Sequence, residues 1–213
     1  MKLTTTCALA LLGAAGTAYG RVIDFETDAG GIPDSKTLDT AWANGRLLNK
    51  TLASLESGDE LLFQNKTYYT MGGIQADGLK DVVIRIEGTI EYSDDMKQWP
   101  RRQDDSVLEC LSFTNAENVT FTSSNKGVFQ GNGDTWWGIP GVGYLERTEN
   151  RPRLFHMDTC KSVLVENIRF LQSPYWTFTA NSMDGLEVLE QTVPFCFAHN
   201  DLPFAMPCRH FLF

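Results

Sequence analysis

Two periodicities divide the chain. Across Asp39-Thr40-Ala41-Trp42-Ala43-Asn44-Gly45-Arg46-Leu47-Leu48 the apolar positions recur at the spacing of a short amphipathic helix, with Thr37 or Asp39 placed to cap it. Beyond it the period falls to two. Residues 82–90, 118–122 and 161–168 alternate apolar and polar types and are rich in β-branched and aromatic side chains, which predicts strands. Each strand follows a short polar turn: Gly78-Leu79-Lys80-Asp81, Asn115-Ala116-Glu117-Asn118, and Asp158 to Ser162. Another turn, Asn181 to Gly185, precedes Leu186.

The last two units align at an offset of 23 residues, which sets Phe155 on Phe178, Cys160 on Met183, Val163 on Leu186 and Val165 on Val188. Earlier units are 37 and 44 residues apart, as coils would be if they carried insertions at 94–105 and 135–150. A repeat of this length built from short strands predicts a solenoid, in which each coil buries its inward side chains on the next. The fold class expected is therefore all-β, a parallel β-helix with a short N-terminal helix. An antiparallel sandwich is the alternative.

Met1-Lys2, an apolar run from Leu3 to Ala15 and the small-residue site Ala18-Tyr19-Gly20 make a signal-peptide layout. The run is too short for a membrane-spanning helix, which needs about 20 residues. A secreted, extracellular protein cleaved near Gly20 is expected. Sequons at Asn49, Asn65 and Asn118 agree with that route as glycosylation candidates. Cys7 leaves with the leader. Cys110, Cys160, Cys196 and Cys208 remain as disulfide candidates, with three connectivities open. No Cys-x-x-Cys clip is present, so no metal site is expected.

The formal charge is −9, and −10 without residues 1–20, whose one formal charge is Lys2. Such a chain is a poor partner for nucleic acid or an anionic membrane, and neither is expected. A polyanionic partner would have to be held by local cations, for which Arg101, Arg102, Arg151, Arg153 and Lys161 are available; otherwise these are solvated surface charges.

Three ordered segments resemble one family. Gly131-Asn132-Gly133-Asp134-Thr135-Trp136-Trp137 is similar to the Gly-x-Gly-x-x-Trp-Trp segment of glycoside hydrolase family 28. Arg151-Pro152-Arg153-Leu154 resembles the Arg-Pro-x-Leu strand that follows it, and Ser173-Pro174-Tyr175-Trp176 the Ser-Pro-x-Trp turn one coil later. The resemblance covers residues 22–188. It implies a right-handed parallel β-helix of the polygalacturonase type, hydrolysis of the α-1,4-galacturonan of pectin (polygalacturonate), no cofactor, and a monomer when complete. Read as residues, the segments look structural: Trp136 and Trp137 as core or loop anchors rather than sugar platforms, Pro174 and Trp176 as a coil corner, Gly131 and Gly133 as a tight turn.

The resembled family draws its acid and base from an Asn-Thr-Asp segment, an Asp-Asp pair and a Gly-His-Gly segment, and binds substrate with Arg-Ile-Lys. The three tripeptides are missing from the sequence. Asp94-Asp95 and Asp104-Asp105 lie in an early insertion and read as solvated turns, His156 as a packed strand residue, and His199 and His210 as tail residues. No catalytic residue is assigned. The strand alternation stops after Val188, and residues 189–213 read as an aberrant, Phe- and Pro-rich tail. The organisation expected is a leader at 1–20, N-terminal coils of a truncated β-helix at 21–188, and that tail.

Overall fold

A computed structural model describes residues 20–124, 126–137, 150–189 and 211–212. Its strands are Val22–Asp24 (β1), Glu60–Phe63 (β2), Thr67–Thr70 (β3), Ile74–Asp77 (β4), Lys80–Ile86 (β5), Thr89–Tyr92 (β6), Leu111–Thr114 (β7) and Glu117–Thr122 (β8). They continue with Gly127–Gln130 (β9), Phe155–Asp158 (β10), Lys161–Glu166 (β11), Ile168–Leu171 (β12), Phe178–Asn181 (β13), Asp184–Leu189 (β14) and Phe211–Leu212 (β15). Three sheets result, ordered β1-β2-β5-β8-β11-β14, β3-β6-β9-β12, and β4-β7-β10-β13-β15. Every pairing between named strands is parallel, so the chain visits the three sheets in turn and each circuit stacks on the last. That is a parallel β-helix, with the all-parallel pairing that an antiparallel sandwich lacks. Parallel crossovers of this kind are almost always right-handed.

The 23-residue frame is a physical register. Phe155 pairs with Phe178, Val163 with Leu186 and Val165 with Val188. Inward residues stack in rows such as Leu61, Ile84, Phe121, Val165 and Val188. Phe155 lies flat on Phe178 at 5.1 Å and Phe129 on Phe170 at 5.5 Å, while Phe121 meets Phe155 edge-on, so one aromatic column fills the centre.

The polar turns are stacked corners, and their composition follows from their backbone. Gly78, Asn115, Thr159 and Ser182 share a left-handed conformation, as do Asp81, Asn118, Ser162 and Gly185 three residues later. Gly, Asn and Asp reach that region at least cost, which is why they recur there. Thr159 is a β-branched exception at φ 55°, fixed by donation of its N–H to Asn181 O at 3.0 Å.

Two expected strands are each two. The run 82–90 breaks at Glu87-Gly88, and the run 161–168 breaks at Asn167 (φ 56°), each at a corner between sheets. The alternation crosses the first corner undisturbed, because Ile86, Gly88 and Ile90 keep one parity and are all buried; at the second it slips by one residue, from Val165 to Ile168, both buried in the same interior. A Cβ on Gly88 would sit 2.1 Å from Lys66 O, so the first corner packs directly on the coil beneath it.

The helix spans Leu38–Leu52 (α1), longer than its periodic stretch, and Thr37 is its cap, accepting from Thr40 N at 3.1 Å. It lies against β3 and β4, the first strands of their sheets. Asn44 is fully buried there; it donates to Tyr69 O and Ile32 O and accepts from Ile32 N. Asn49 donates to Gly73 O and accepts from Gln75 N. Two asparagines thus satisfy edge groups that an unpaired strand would expose.

Candidate functional site

Long loops leave the coils at one corner, between β6 and β7, between β9 and β10, and, shorter, between β12 and β13. The insertions expected at 94–105 and 135–150 fall in the first two of these connections, the second with residues 138–149 outside the described residues, and most candidate residues ride on the parts described.

The Gly-x-Gly-x-x-Trp-Trp segment hooks one coil to the next. Gly131 N donates to Leu171 O at 2.9 Å, Gly133 N to Gln172 O at 2.7 Å, and Trp137 Nε1 to Ser173 O at 2.9 Å. A Cβ on Gly133 would come within 2.6 Å of both Gln172 O and Ser173 O, and one on Gly131 within 2.5 Å of Gln172 O. Close approach to the next coil, more than turn geometry, demands glycine; the left-handed residue between them is Asn132, at φ 48°. Trp136 is 2% exposed and packs edge-on to Trp99 at 5.2 Å. It is an anchor beneath the loops and offers no platform to a sugar. Trp99 was missed as its partner, although two tryptophans at the start of successive insertions were visible in the sequence.

The cations on this corner hold the loops together. Arg153 Nη1 meets Glu109 Oε1 at 2.8 Å, and Arg153 N donates to Glu109 Oε2 at 2.6 Å. Glu109 is buried, so the pair ties the end of one insertion to the end of the next. Arg151 donates to Pro174 O at 3.1 Å and lies 4.6 Å over the Tyr175 ring. Arg102 donates to Val107 O at 2.7 Å, and Arg101 to Asp105 O at 3.1 Å within the same loop. Lys161 is elsewhere, at the start of β11, in a cross-strand row of alternating charge: Lys80, Glu117, Lys161, Asp184. The five cations therefore do not converge on one surface.

The acidic candidates behave as turn residues. Asp95 Oδ1 accepts from Lys97 N and Gln98 N, Asp94 Oδ1 from the Tyr69 hydroxyl, and Asp105 has φ 66°. The hydroxyl and amide of Ser106 hold the Asp104 carboxyl below its usual range, which keeps it ionised and unsuited to protonate a leaving group. His156 is half-buried on β10, with Nδ1 2.6 Å from Thr179 Oγ1, and burial lowers its pKa. His199, His210, Cys196 and Cys208 lie outside the described residues, as do residues 1–19 and most of the tail. Cys110 and Cys160 are buried thiols, not bonded to each other, and burial pushes both upward in pKa, which makes them unreactive.

Among the sequons, Asn65 is exposed at a corner, Asn118 is exposed and donates to Asp81 Oδ1 at 2.8 Å, and Asn49 spends its amide on β4. Among the described residues no three His, Cys, Asp or Glu side chains gather as a metal site, and no helix is long and apolar enough to cross a membrane.

The outer face of the six-stranded sheet carries the other polar array. Arg85 Nε donates to Glu60 Oε1 at 2.7 Å, Thr122 Oγ1 to Glu166 Oε1 at 2.8 Å, and the Ser124 hydroxyl to Glu87. Periodicity placed these side chains outward but gave no sign that they would pair.

Residues 63–195 match the family model for glycosyl hydrolases family 28. The α-L-rhamnosidase rgxB of Aspergillus niger (strain ATCC MYA-4892 / CBS 513.88 / FGSC A1513) is 26% identical over 134 residues, 60% of this chain and 30% of that protein. A polygalacturonase of Persea americana is 29% identical over 118 residues, 54% of this chain and 22% of that one. The chain thus spans less than a third of the curated relatives it matches. Among solved structures, the endo-xylogalacturonan hydrolase of Aspergillus tubingensis superposes with a TM-score of 0.60 at 17% identity, covering 80% of this chain and 42% of that one. The hyperthermoactive exopolygalacturonase of Thermotoga maritima does so at 0.52 and 18% identity, covering 82% and 48%. At such identities these two likenesses establish the β-helix alone. The family model covers more than half of the chain and includes the three hooked segments, and the chain belongs to glycosyl hydrolases family 28.

Proposed function

We propose that the chain supplies the N-terminal coils of a secreted pectin hydrolase of the polygalacturonase type, directed at α-1,4-galacturonan in the plant cell wall, and that the 213-residue sequence does not itself cleave its substrate. Inverting hydrolysis needs one carboxylic acid at the leaving oxygen and one carboxylate on a water, held by the scaffold about 6.5–9.5 Å apart. The observation that carries the reading is the hook of Gly131, Gly133 and Trp137 onto residues 171–173: it accounts for the family's segments as scaffold and leaves the acid–base pair to be supplied by residues this sequence lacks. The named relatives differ in the sugar they act on, so rhamnogalacturonan is the substrate to test beside polygalacturonate.

The test is a reducing-sugar assay run with both polymers, together with a sedimentation assay for binding. The expected result is no turnover on either. Sustained release of reducing ends that survives removal of contaminating activity would overturn the proposal. Binding to polygalacturonate without turnover would favour a non-catalytic wall-binding protein, with Arg101 and Arg102 as the exposed cations to replace first.

A further inference from the structure

The fold takes hold of the chain at Arg21. Its carbonyl accepts from Glu60 N at 2.8 Å and starts the ladder of β1 on β2, yet its amide does not enter that ladder. Arg21 N instead points at Asp59 Oδ1, 2.9 Å away. Asp59 is nearly fully buried, and the Arg21 guanidinium also closes on it, Nε at 3.2 Å and Nη2 at 2.5 Å, while Glu56 N donates to Oδ2 at 2.9 Å. Glu56 adds a second carboxylate 3.9 Å from the same guanidinium. One cation therefore faces two anions, and the Arg21 nitrogen that sits on Asp59 Oδ1 is a neutral amide.

Processing would convert that nitrogen. Gly20, exposed in the structure, closes the small-residue site Ala18-Tyr19-Gly20 that follows the apolar run. We infer that Asp59 is a built receptor for a free chain terminus, the α-ammonium of Arg21 produced by cleavage of the Gly20–Arg21 bond. An endopeptidase of the signal-peptidase class would add water across the amide: the C–N bond breaks, Gly20 leaves as a carboxylate, and the nitrogen takes up protons to become an ammonium. Two cations then face two anions. The leader's removal would thereby strengthen the attachment of β1 to the solenoid, an effect separate from any action on pectin.

The full chain secreted from a eukaryotic host should begin at Arg21 on N-terminal sequencing. Its α-amine should react with an acylating reagent at pH 7 at least about tenfold more slowly in the folded protein than in denaturant, because an ion pair that raises an amine's pKa by one unit cuts its neutral fraction about tenfold. Asp59→Asn should abolish that protection. Should that variant fail to fold, a chain with one glycine inserted before Arg21 moves the ammonium away, keeps Asp59, and must react faster. A different first residue, equal rates in folded and denatured chains, or protection that survives either change overturns the inference.

Discussion

The two ends of the described solenoid are finished differently. At the N-terminal end α1 covers the first strands of two sheets, Asn44 and Asn49 bond their edge groups, and Asp59 fastens β1. At the other end no strand follows β14 in its sheet among the described residues. The row Val82, Val119 and Val163 is buried, whereas Leu186, next in that row, is only half-covered, and Leu189 is 47% exposed. A stacked fold closes by supplying both apolar cover and hydrogen-bond partners, and the N-terminal end supplies the first with the apolar face of α1 and the second with Asn44, Asn49 and Asp59.

The sharpest way to test that contrast uses one residue type at both ends. Leu61 is fully buried, so Leu61→Ala should cost about 2–5 kcal/mol in denaturant unfolding. Leu186→Ala, in the half-covered row, should cost less than about 1 kcal/mol, because its neighbours have water to relax into. Equal losses would mean that the far end is as well packed as the near one.

The polar half of the cap is tested next. Asn44→Ala removes three hydrogen bonds and strands backbone groups of Ile32 and Tyr69 in a buried place. A loss of about 2–3 kcal/mol is expected, with faster amide exchange along β3. In the middle of the molecule Gly133→Ala should cost about 1–3 kcal/mol, since its Cβ meets carbonyl oxygens that belong to the next coil and cannot swing away. Melting of the mutant should expose residues 172–177 to proteolysis first; unchanged cleavage there would remove the hook from the account.

Much of this was legible in the sequence, and the limits have physical reasons. The stacked register was readable because each coil repeats its inward residues in phase, as Phe155 and Phe178 do. The corner inside 82–90 was hidden, since the inward parity runs unbroken through Gly88, whereas the corner inside 161–168 left only a one-residue slip from Val165 to Ile168, too small to read as a break. The strands β2 to β4 escaped notice for a related reason: four-residue strands such as Thr67–Thr70 are too short to show a period. Among the loop candidates the roles of Trp136 as an anchor and of the aspartates as turn residues were legible, but those of the cations were not. Arg153 and Glu109 lie 44 residues apart, and only the stacking of insertions on adjacent coils brings them together.

Acid gives the smallest effect and separates the two ends by chemistry. Hydrogen bonds from Arg21, above all its guanidinium, bring the Asp59 carboxyl down from 3.8 to about 2 against the opposing effect of its burial. A carboxyl depressed in the folded state adds stability at pH values above its unfolded pKa, and that stability is lost as pH falls from about 4 to about 2. The full shift would correspond to about 2 kcal/mol, but Arg21 is 56% exposed on its side chain and solvent screens the pair, so about 1 kcal/mol is expected. Hydrogen exchange in β1 should therefore rise over that window while exchange in β13 and β14 follows only the general acid loss. In Asp59→Asn the extra rise in β1 should vanish, and its persistence would assign the acid sensitivity of this end to some other carboxylate, Glu56 being the nearest.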